Sequence, residues 1–378
     1  MTETLKLQIE KYANGGYGLG LHGGMAVFVP YTAPGDRVLV RLTLRKKNHA
    51  FGEIEDILTP SPHRREPGCP NFTECGGCHF LHVSYDEEMK AKSALLHETL
   101  VRLGKIDANR LPLIELLSNG RYHYRTHATV QCDHTGMGFF QRESHVIKPF
   151  PVGGCKLLAE PLIHTLEGLD IKEKTELKIA TDNLGASHYS TGKPVTLTEV
   201  EDGITYHRDL YSFFQANGKL RTTMLELAAE MSHLSGDQSF VDIGCGVGFF
   251  TLYLAGQARK GLGIDVVEKS IQWGQQNARL NHITNITFKR LHGDLLHPYR
   301  EHFDVVLVDP PRQGLNTKTR KTIIAMSPGR IVYVSCNPVT FARDCGDFIN
   351  GGYRLKRLTL LDMFPGTHHT EVMGLFIK

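Results

Sequence analysis

Cys336 closes the apolar run RIVYVSC, and Asp309 closes a second, FDVVLVD, which continues into Pro310-Pro311-Arg312. If the two runs are strands of one sheet, a thiol and a carboxylate meet at the same edge. The paired prolines fix the backbone just beyond the strand and hold Asp309 there. Most cysteines are small buried hydrophobes, but one at a strand end beside a carboxylate reads as a nucleophile. Near the C-terminus, His369-Thr370-Glu371 offers a second carboxylate. Alone it would be an exposed ion-pair partner; in this company it is the natural general base. These residue types suit methylation of a carbon that cannot attack a methyl donor unaided, such as C5 of uracil. A thiolate adding to C6 turns C5 into the nucleophilic carbon of an enolate. A base then removes the C5 proton and the thiolate leaves.

A methyl donor needs its own cradle. Asp242-Ile243-Gly244-Cys245-Gly246-Val247-Gly248 ends the strand-like run QSFVDIG. Glycines there let backbone approach a ligand, and amides at the start of the next helix point into the site. A dinucleotide turn would read G-x-G-x-x-G; D-x-G-x-G-x-G better suits the methionine part of S-adenosylmethionine. Asp265 closes the next strand, where a carboxylate can hold both ribose hydroxyls. Asp294, in HGD, closes the third and can face the adenine amine. Singly these acids would be helix caps; at three successive strand ends they form a constellation. Arg312 after the two prolines also sets the chain apart from amino-nitrogen methyltransferases, which carry an aromatic residue there.

Cys69, Cys75 and Cys78 stand as C-x5-C-x2-C, with Gly76-Gly77 between the last two. Cysteines so spaced in a reduced compartment argue for a metal rather than disulfides. Four thiolates would complete a zinc or an iron–sulfur site, and spacing leaves both open. Cys155, in GGC, is the best fourth ligand and Cys132 the second choice.

The elements that must position these groups fall into three regions. Over residues 5–58, short alternating runs separated by glycine turns predict a small OB-like β-barrel. Its Arg41, Arg45, Lys46, Lys47 and His49 form a basic patch suited to phosphate or to a plain solvated face. A proline-rich boundary, TPSPHRREPG, precedes the cysteines, and Ser84 caps a helix in SYDEEMKAKSALLHETLVRLG. Residues 112–200 read as β-rich. From residue 219 strands alternate with helices, which means a doubly wound, mostly parallel α/β sheet with its ligands at the carboxyl ends of the strands. The division is therefore 1–60, 61–208 and 209–378. No apolar run approaches the roughly 20 residues that cross a bilayer, and MTETLKLQIE has no signal-peptide pattern. The expected place is the cytoplasm, and the expected state a monomer.

In order and content, the motifs AVFVPYTAPGDRV, CPNFTECGGCHFLH, FFQRESHVI, SFFQAN, DIGCGVG, DPPRQGL, SCNP and HHTEVM resemble the RNA uracil-5-methyltransferases that carry an N-terminal TRAM domain and an iron–sulfur cluster. The resemblance covers almost the whole chain. It implies a Rossmann-like S-adenosylmethionine domain behind a TRAM barrel that binds RNA and a β-rich central domain. It implies a 4Fe–4S cluster on Cys69, Cys75, Cys78 and Cys155 that organises RNA binding. It also implies Cys336 as nucleophile, Glu371 as base and Asp309 lining the uracil and cofactor site. Gln215, Gly244, Phe249, Asp265 and Asp294 would contact the cofactor, and the helix of residues 84–105 would pack on the catalytic domain. Phe249 replaces a usual asparagine and Asp265 a frequent glutamate, so these two contacts depart from the pattern.

The expected substrate is a uridine in RNA, ribosomal in preference to transfer RNA, flipped out and stacked on Phe213 or Phe214. Two rivals stand behind it. An amino-nitrogen methyltransferase would need neither Cys336 nor Glu371, and an RNA-binding protein with a sensing cluster would transfer no methyl group.

Overall fold

The computed structural model describes residues 3–296 and 302–378. Strands β1 (Thr4–Gln8), β2 (Lys11–Ala13), β3 (Tyr17–His22), β4 (Met25–Pro30), β5 (Arg37–Arg45) and β6 (His49–Thr59) form one sheet in the order β1-β5-β6-β4-β3-β2. Period-two alternation sends Leu5, Leu7, Val27, Val29, Val38 and Val40 into the barrel core. The opposite face carries Tyr17, Phe28, His49 and Phe51, with the Phe28 and Phe51 rings stacked at 5.3 Å. Asp36, in the turn APGD, is fully buried and ties the barrel to the segment after β6. Its carboxylate accepts from the Ser61 amide at 2.7 Å and pairs with Arg64 at 2.8 Å.

The next region is shared between two sheets. Helix α1 (Tyr85–Arg102) starts where its sequence says it should, with the Ser84 hydroxyl accepting from the Glu87 amide at 3.3 Å. Its Met89, Leu96 and Leu100 enter the core of the last region, and β7 (Ile114–Leu117) becomes an edge strand there. Strands β8 (His127–Asp133), β9 (Gly136–Phe140), β10 (Ile147–Pro149), β11 (Thr175–Thr181) and β12 (Ser187–Ser190) make a separate sheet, β10-β9-β8-β11-β12. Helix α2 (Glu160–Glu167) covers it with Leu162, Ile163 and Leu166. The hairpin β13 (Thr196–Glu201) and β14 (Ile204–Asp209) leads on to the last region.

There α3 (Arg221–Ser232), β15 (Ser239–Ile243), α4 (Phe249–Leu254), β16 (Lys260–Asp265), α5 (Glu268–Leu280), β17 (Ile286–Arg290), β18 (Val305–Val308), α6 (Thr317–Met326), β19 (Arg330–Ser335), α7 (Pro338–Asn350), β20 (Arg354–Leu361) and β21 (Glu371–Ile377) alternate as expected. The sheet order is β17-β16-β15-β18-β19-β21-β20-β7. The first five strands are parallel and β21 runs antiparallel to β19 and β20. The central parallel strands β15, β18 and β19 are buried on both faces, which explains their apolar runs. Among the described residues no helix is long and apolar enough to cross a membrane.

Candidate active site

Register brings the reactive groups together. Ser335 pairs with Val372 as the last pair of the antiparallel ladder, and Cys336 and Glu371 are the residues just beyond that pair on the two strands, with Glu371 acting on the Cys336 thiol. Asp309 follows the neighbouring strand β18, whose Val308 pairs with Tyr333 of β19. Burial pushes the Cys336 thiol up to about 11, with Glu371 and then Asp309 adding to the shift while Arg312 opposes it. Burial likewise raises Asp309 to about 8, helped by Asp242 and Asp265. Glu371 is raised well above the carboxylate range by burial and by Asp309, again against Arg312. At neutral pH the site therefore holds a protonated thiol and two proton-hungry carboxyl groups under one cation.

The cofactor side adjoins it. The Asp309 amide donates to the Ile243 carbonyl at 3.1 Å, and a Cβ on Gly244 would meet the Asp309 carbonyl oxygen at 2.6 Å. Gly244 also has φ +86°, so the strand end needs glycine twice over. Asp265 accepts from the Gly246 amide at 3.0 Å and from the Val267 amide at 2.8 Å, so it shapes the turn as well as facing the site. Asp242 lies fully buried beneath, accepting from the Thr251 hydroxyl at 2.5 Å and raised by burial to about 7. Asp294 sits half-buried beyond β17 and is engaged by His292 at 2.7 Å.

The SFFQAN segment resolves into three different roles. Gln215 donates from its side-chain amide to Asp309 at 3.4 Å, and its carbonyl is held by the Arg221 guanidinium at 2.8 Å. Phe213 is 70% exposed, whereas Phe214 is buried between the guanidinium groups of Arg208 and Arg221. Of the two phenylalanines offered for stacking a base, Phe214 is thus excluded, because those cations and the rings of Tyr206 and Phe249 already surround it. Phe249 points into that same aromatic cluster, so its side chain does not take over the polar contact of the usual asparagine.

The cysteines converge from two loops. A bridge between Cys75 and Gln141, and the Gly76 amide on the Phe140 carbonyl at 2.9 Å, lay the first loop on the central sheet. Burial raises the Cys78 thiol, and Cys155, Cys75 and Cys69 raise it further, so the four sulfurs feel one another. Cys132 is packed in the core of the central sheet, and its thiol is raised by burial and Asp133 rather than by the other cysteines. Among the described residues, no three His, Cys, Asp or Glu side chains stand close enough to grip one metal ion.

Two features were not singled out as functional from the sequence. Arg312 is the cation opposing both the thiol and the base, and it lies 3.5 Å from His369. Its conspicuous place after Asp309-Pro310-Pro311 was the available signal. The loop of residues 362–370 is nearly all buried and tied to α1 by Lys92, which reaches Asp362 at 2.7 Å; no local motif announces that contact.

Comparison with known proteins finds relatives along nearly the whole chain. A family model described as tRNA (uracil-5-)-methyltransferase matches residues 195–378, and one for the TRAM domain of tRNA (uracil(54)-C(5))-methyltransferase matches residues 5–63. The 23S rRNA (uracil(1939)-C(5))-methyltransferase of Aeromonas hydrophila is 33% identical over 95% of this chain and 93% of its own. An uncharacterized RNA methyltransferase of Aquifex aeolicus is 31% identical over 98% of both. The crystal structure of the Pyrococcus abyssi tRNA (uracil-54, C5)-methyltransferase with S-adenosyl-L-homocysteine shares the fold with a TM-score of 0.76 at 22% identity, covering 99% of this chain and 100% of that one.

Proposed function

The chain belongs to the RNA uracil-5-methyltransferases, and from that premise we propose that it methylates C5 of a uridine in 23S ribosomal RNA through a covalent bond between Cys336 and C6 of the base. The observation that carries this reading is that Cys336 and Glu371 lie just beyond the last pair of one antiparallel ladder, with Asp309 at the adjoining strand end. Ribosomal RNA is favoured because the Aeromonas enzyme matched along nearly the whole chain acts, by its name, on 23S rRNA. Transfer RNA is the second reading, favoured by the names of the matching family model and of the Pyrococcus enzyme.

Each group has a task that fits its setting. Bound S-adenosylmethionine supplies an electrophilic methyl on a sulfonium sulfur. The glycine turn of residues 244–248 takes its methionine end, Asp265 its ribose and Asp294 its adenine, while Gln215 bridges toward Asp309. The thiolate form of Cys336, its proton passed to water, forms the bond to C6, which places negative charge on O4 and C5. Arg312 is the cation at hand for that charge. After methyl transfer the ionised form of Glu371 takes the C5 proton, the C5–H pair forms the C5–C6 double bond, and the C6–S pair returns to sulfur as the thiolate leaves. Exposed Phe213 stacks the extruded base.

The cysteine group fits a 4Fe–4S cluster on Cys69, Cys75, Cys78 and Cys155. Four soft thiols drawn from two loops, with Cys75, Cys78 and Cys155 each raised by burial and by neighbouring cysteines, suit a cluster in which each iron takes one thiolate. When bound, the cluster supplies fixed charge and a crosslink between two loops; no redox step is assigned to it. The barrel and the cysteine loop flank a groove of about 1120 Å³ lined by Tyr17, Tyr31, Phe51, Arg65 and Arg142, which suits single-stranded RNA.

The decisive test uses protein purified without oxygen. Wild type and Cys336→Ala are incubated with unmodified ribosomal and transfer RNA and labelled S-adenosylmethionine, and the product nucleoside is identified by mass spectrometry. The expected product is 5-methyluridine in ribosomal RNA from the wild type alone. Full activity in Cys336→Ala would refute the covalent route, and label in transfer RNA only would move the substrate to the second reading.

A further inference from the structure

The loop bearing Glu371 is held from outside its own sheet. Gly366 is its pivot. Its carbonyl accepts from the amides of His79 at 2.7 Å and Phe80 at 3.0 Å, the two residues that directly follow Cys78. Its amide donates to the Glu88 carboxylate at 2.7 Å. Lys92, one turn further along α1, pairs with Glu88 at 2.8 Å and with Asp362 at 2.7 Å, and donates to the Phe364 carbonyl at 3.2 Å. Tyr85 closes the other oxygen of Asp362 at 2.7 Å, and Arg121 the other oxygen of Glu88 at 2.8 Å. Glu88, Lys92 and Asp362 are all essentially fully buried. Beyond Gly366, His368 touches His79 at 3.2 Å and His369 reaches Arg312.

A buried charge network of this kind costs desolvation, and a well-packed apolar set could hold two elements together as firmly. What ions and paired backbone bonds add is geometry, because each group accepts its partner in one arrangement. Here the arrangement fixes a five-residue path from Gly366 to Glu371, and it is reached directly from Cys78. We propose that Glu88, Lys92 and the His79-Phe80 backbone are the positioning device of the catalytic base, so that the state of the four-cysteine site governs proton removal at C5 rather than only RNA affinity. This rests on the reading of Glu371 as base and of the cysteines as cluster ligands.

The consequence is specific. Disturbing the device from either side loosens the loop, and the step that slows is breakdown of the Cys336–RNA adduct, since thiol addition precedes the need for Glu371. The test compares the full-length loaded protein with the same protein stripped by chelator and with Glu88→Gln, which keeps size and removes charge. Amide hydrogen exchange is read over residues 362–371, adduct lifetime by denaturing gel after a single turnover, and RNA affinity separately. Exchange in the loop rises about tenfold in both perturbed forms, and adduct release slows by a similar factor, as expected for loss of a bond to a charged acceptor. RNA affinity stays within about twofold in Glu88→Gln, whose changed side chain is buried away from the RNA groove. Unchanged loop exchange in both forms would overturn the inference, as would affinity falling in step with adduct release in Glu88→Gln. If no protein forms an adduct, Glu371→Gln included, the covalent reading fails by itself, and the exchange data still decide whether Cys78 and α1 hold the loop.

Discussion

Cys336 carries a thiol that its surroundings keep protonated, and two of the three groups responsible are the carboxylates it works with. Burial is the largest cause, then Glu371, then Asp309. Removing the Asp309 charge should therefore lower the thiol pKa. In Asp309→Asn, alkylation of Cys336 by iodoacetamide, followed on its peptide against pH, should show its midpoint below the wild-type value of about 11. An unmoved midpoint would mean that the two groups do not share a field. Arg312→Gln should shift it the other way, because it removes the one opposing cation. At the metal site the prediction is a contrast. Cys155→Ser should lose iron and sulfide from the purified protein, and Cys132→Ser should keep them, since Cys132 lies in the core of the central sheet. The proposed reactive residues could be picked out because strand-end position and residue type are local facts of the chain. Arg312 was seen only as a discriminator, and the field it exerts depends on neighbours over fifty residues away.

At the scale of elements, strand β15 and the turn after it show why local pattern is readable and docking is not. The glycines of the motif are spaced for a strand-to-helix turn, and the structure uses Gly244 where β15 touches the end of β18. Gly244→Ala would force a Cβ against the Asp309 carbonyl in a backbone region that disfavours side chains. The cost should be about 1–3 kcal/mol of stability. S-adenosylhomocysteine binding should weaken at least about tenfold by calorimetry, while the melting curve stays cooperative. Normal affinity would show that β18 can retreat without harm to the cradle. Helix α1 was legible to its cap, because Ser84 and the acidic first turn are written in sequence. Strand β7 was not, because four residues with no clean alternation give no hint that they pair with Leu358–Leu361, over two hundred residues on. Helix α2 was hidden for the same reason: eight residues, with Pro161 in the first turn, fall below the length at which helical period stands out in a β-rich stretch.

For the whole molecule, the question is how a barrel remote in sequence from Cys336 contributes to methylating one uridine. Its basic patch is less available than composition suggests, because Arg41 pairs with Glu53 and Glu55, and Arg45 with Glu3. Lys46 and Lys47 remain exposed and His49 packs on Phe51. The barrel presents aromatic rings to the groove among aliphatic and polar side chains: Tyr17, Tyr31 and Phe51 line it beside Leu44, Glu53 and Ile54, with Phe28 stacked behind Phe51. A second hollow lined by Gly76, His79, Arg142 and His368 shares Tyr17 and Arg142 with the groove, so the surface continues toward the catalytic loop. Stacking and charge then predict different signatures. Phe51→Ala should weaken RNA binding about tenfold or more by loss of one stacked base, with the slope of affinity on salt unchanged. The double substitution Lys46→Ala with Lys47→Ala should instead flatten that slope by about 1.4, as two phosphate contacts on a single strand would require. Filter binding across a salt series separates the two. A flattened slope in Phe51→Ala would mean the strand crosses the barrel by a different face, and the groove would lose its claim to the RNA; an unchanged slope in the lysine pair would mean that the strand does not run on past the groove to Lys46 and Lys47, which lie outside its lining.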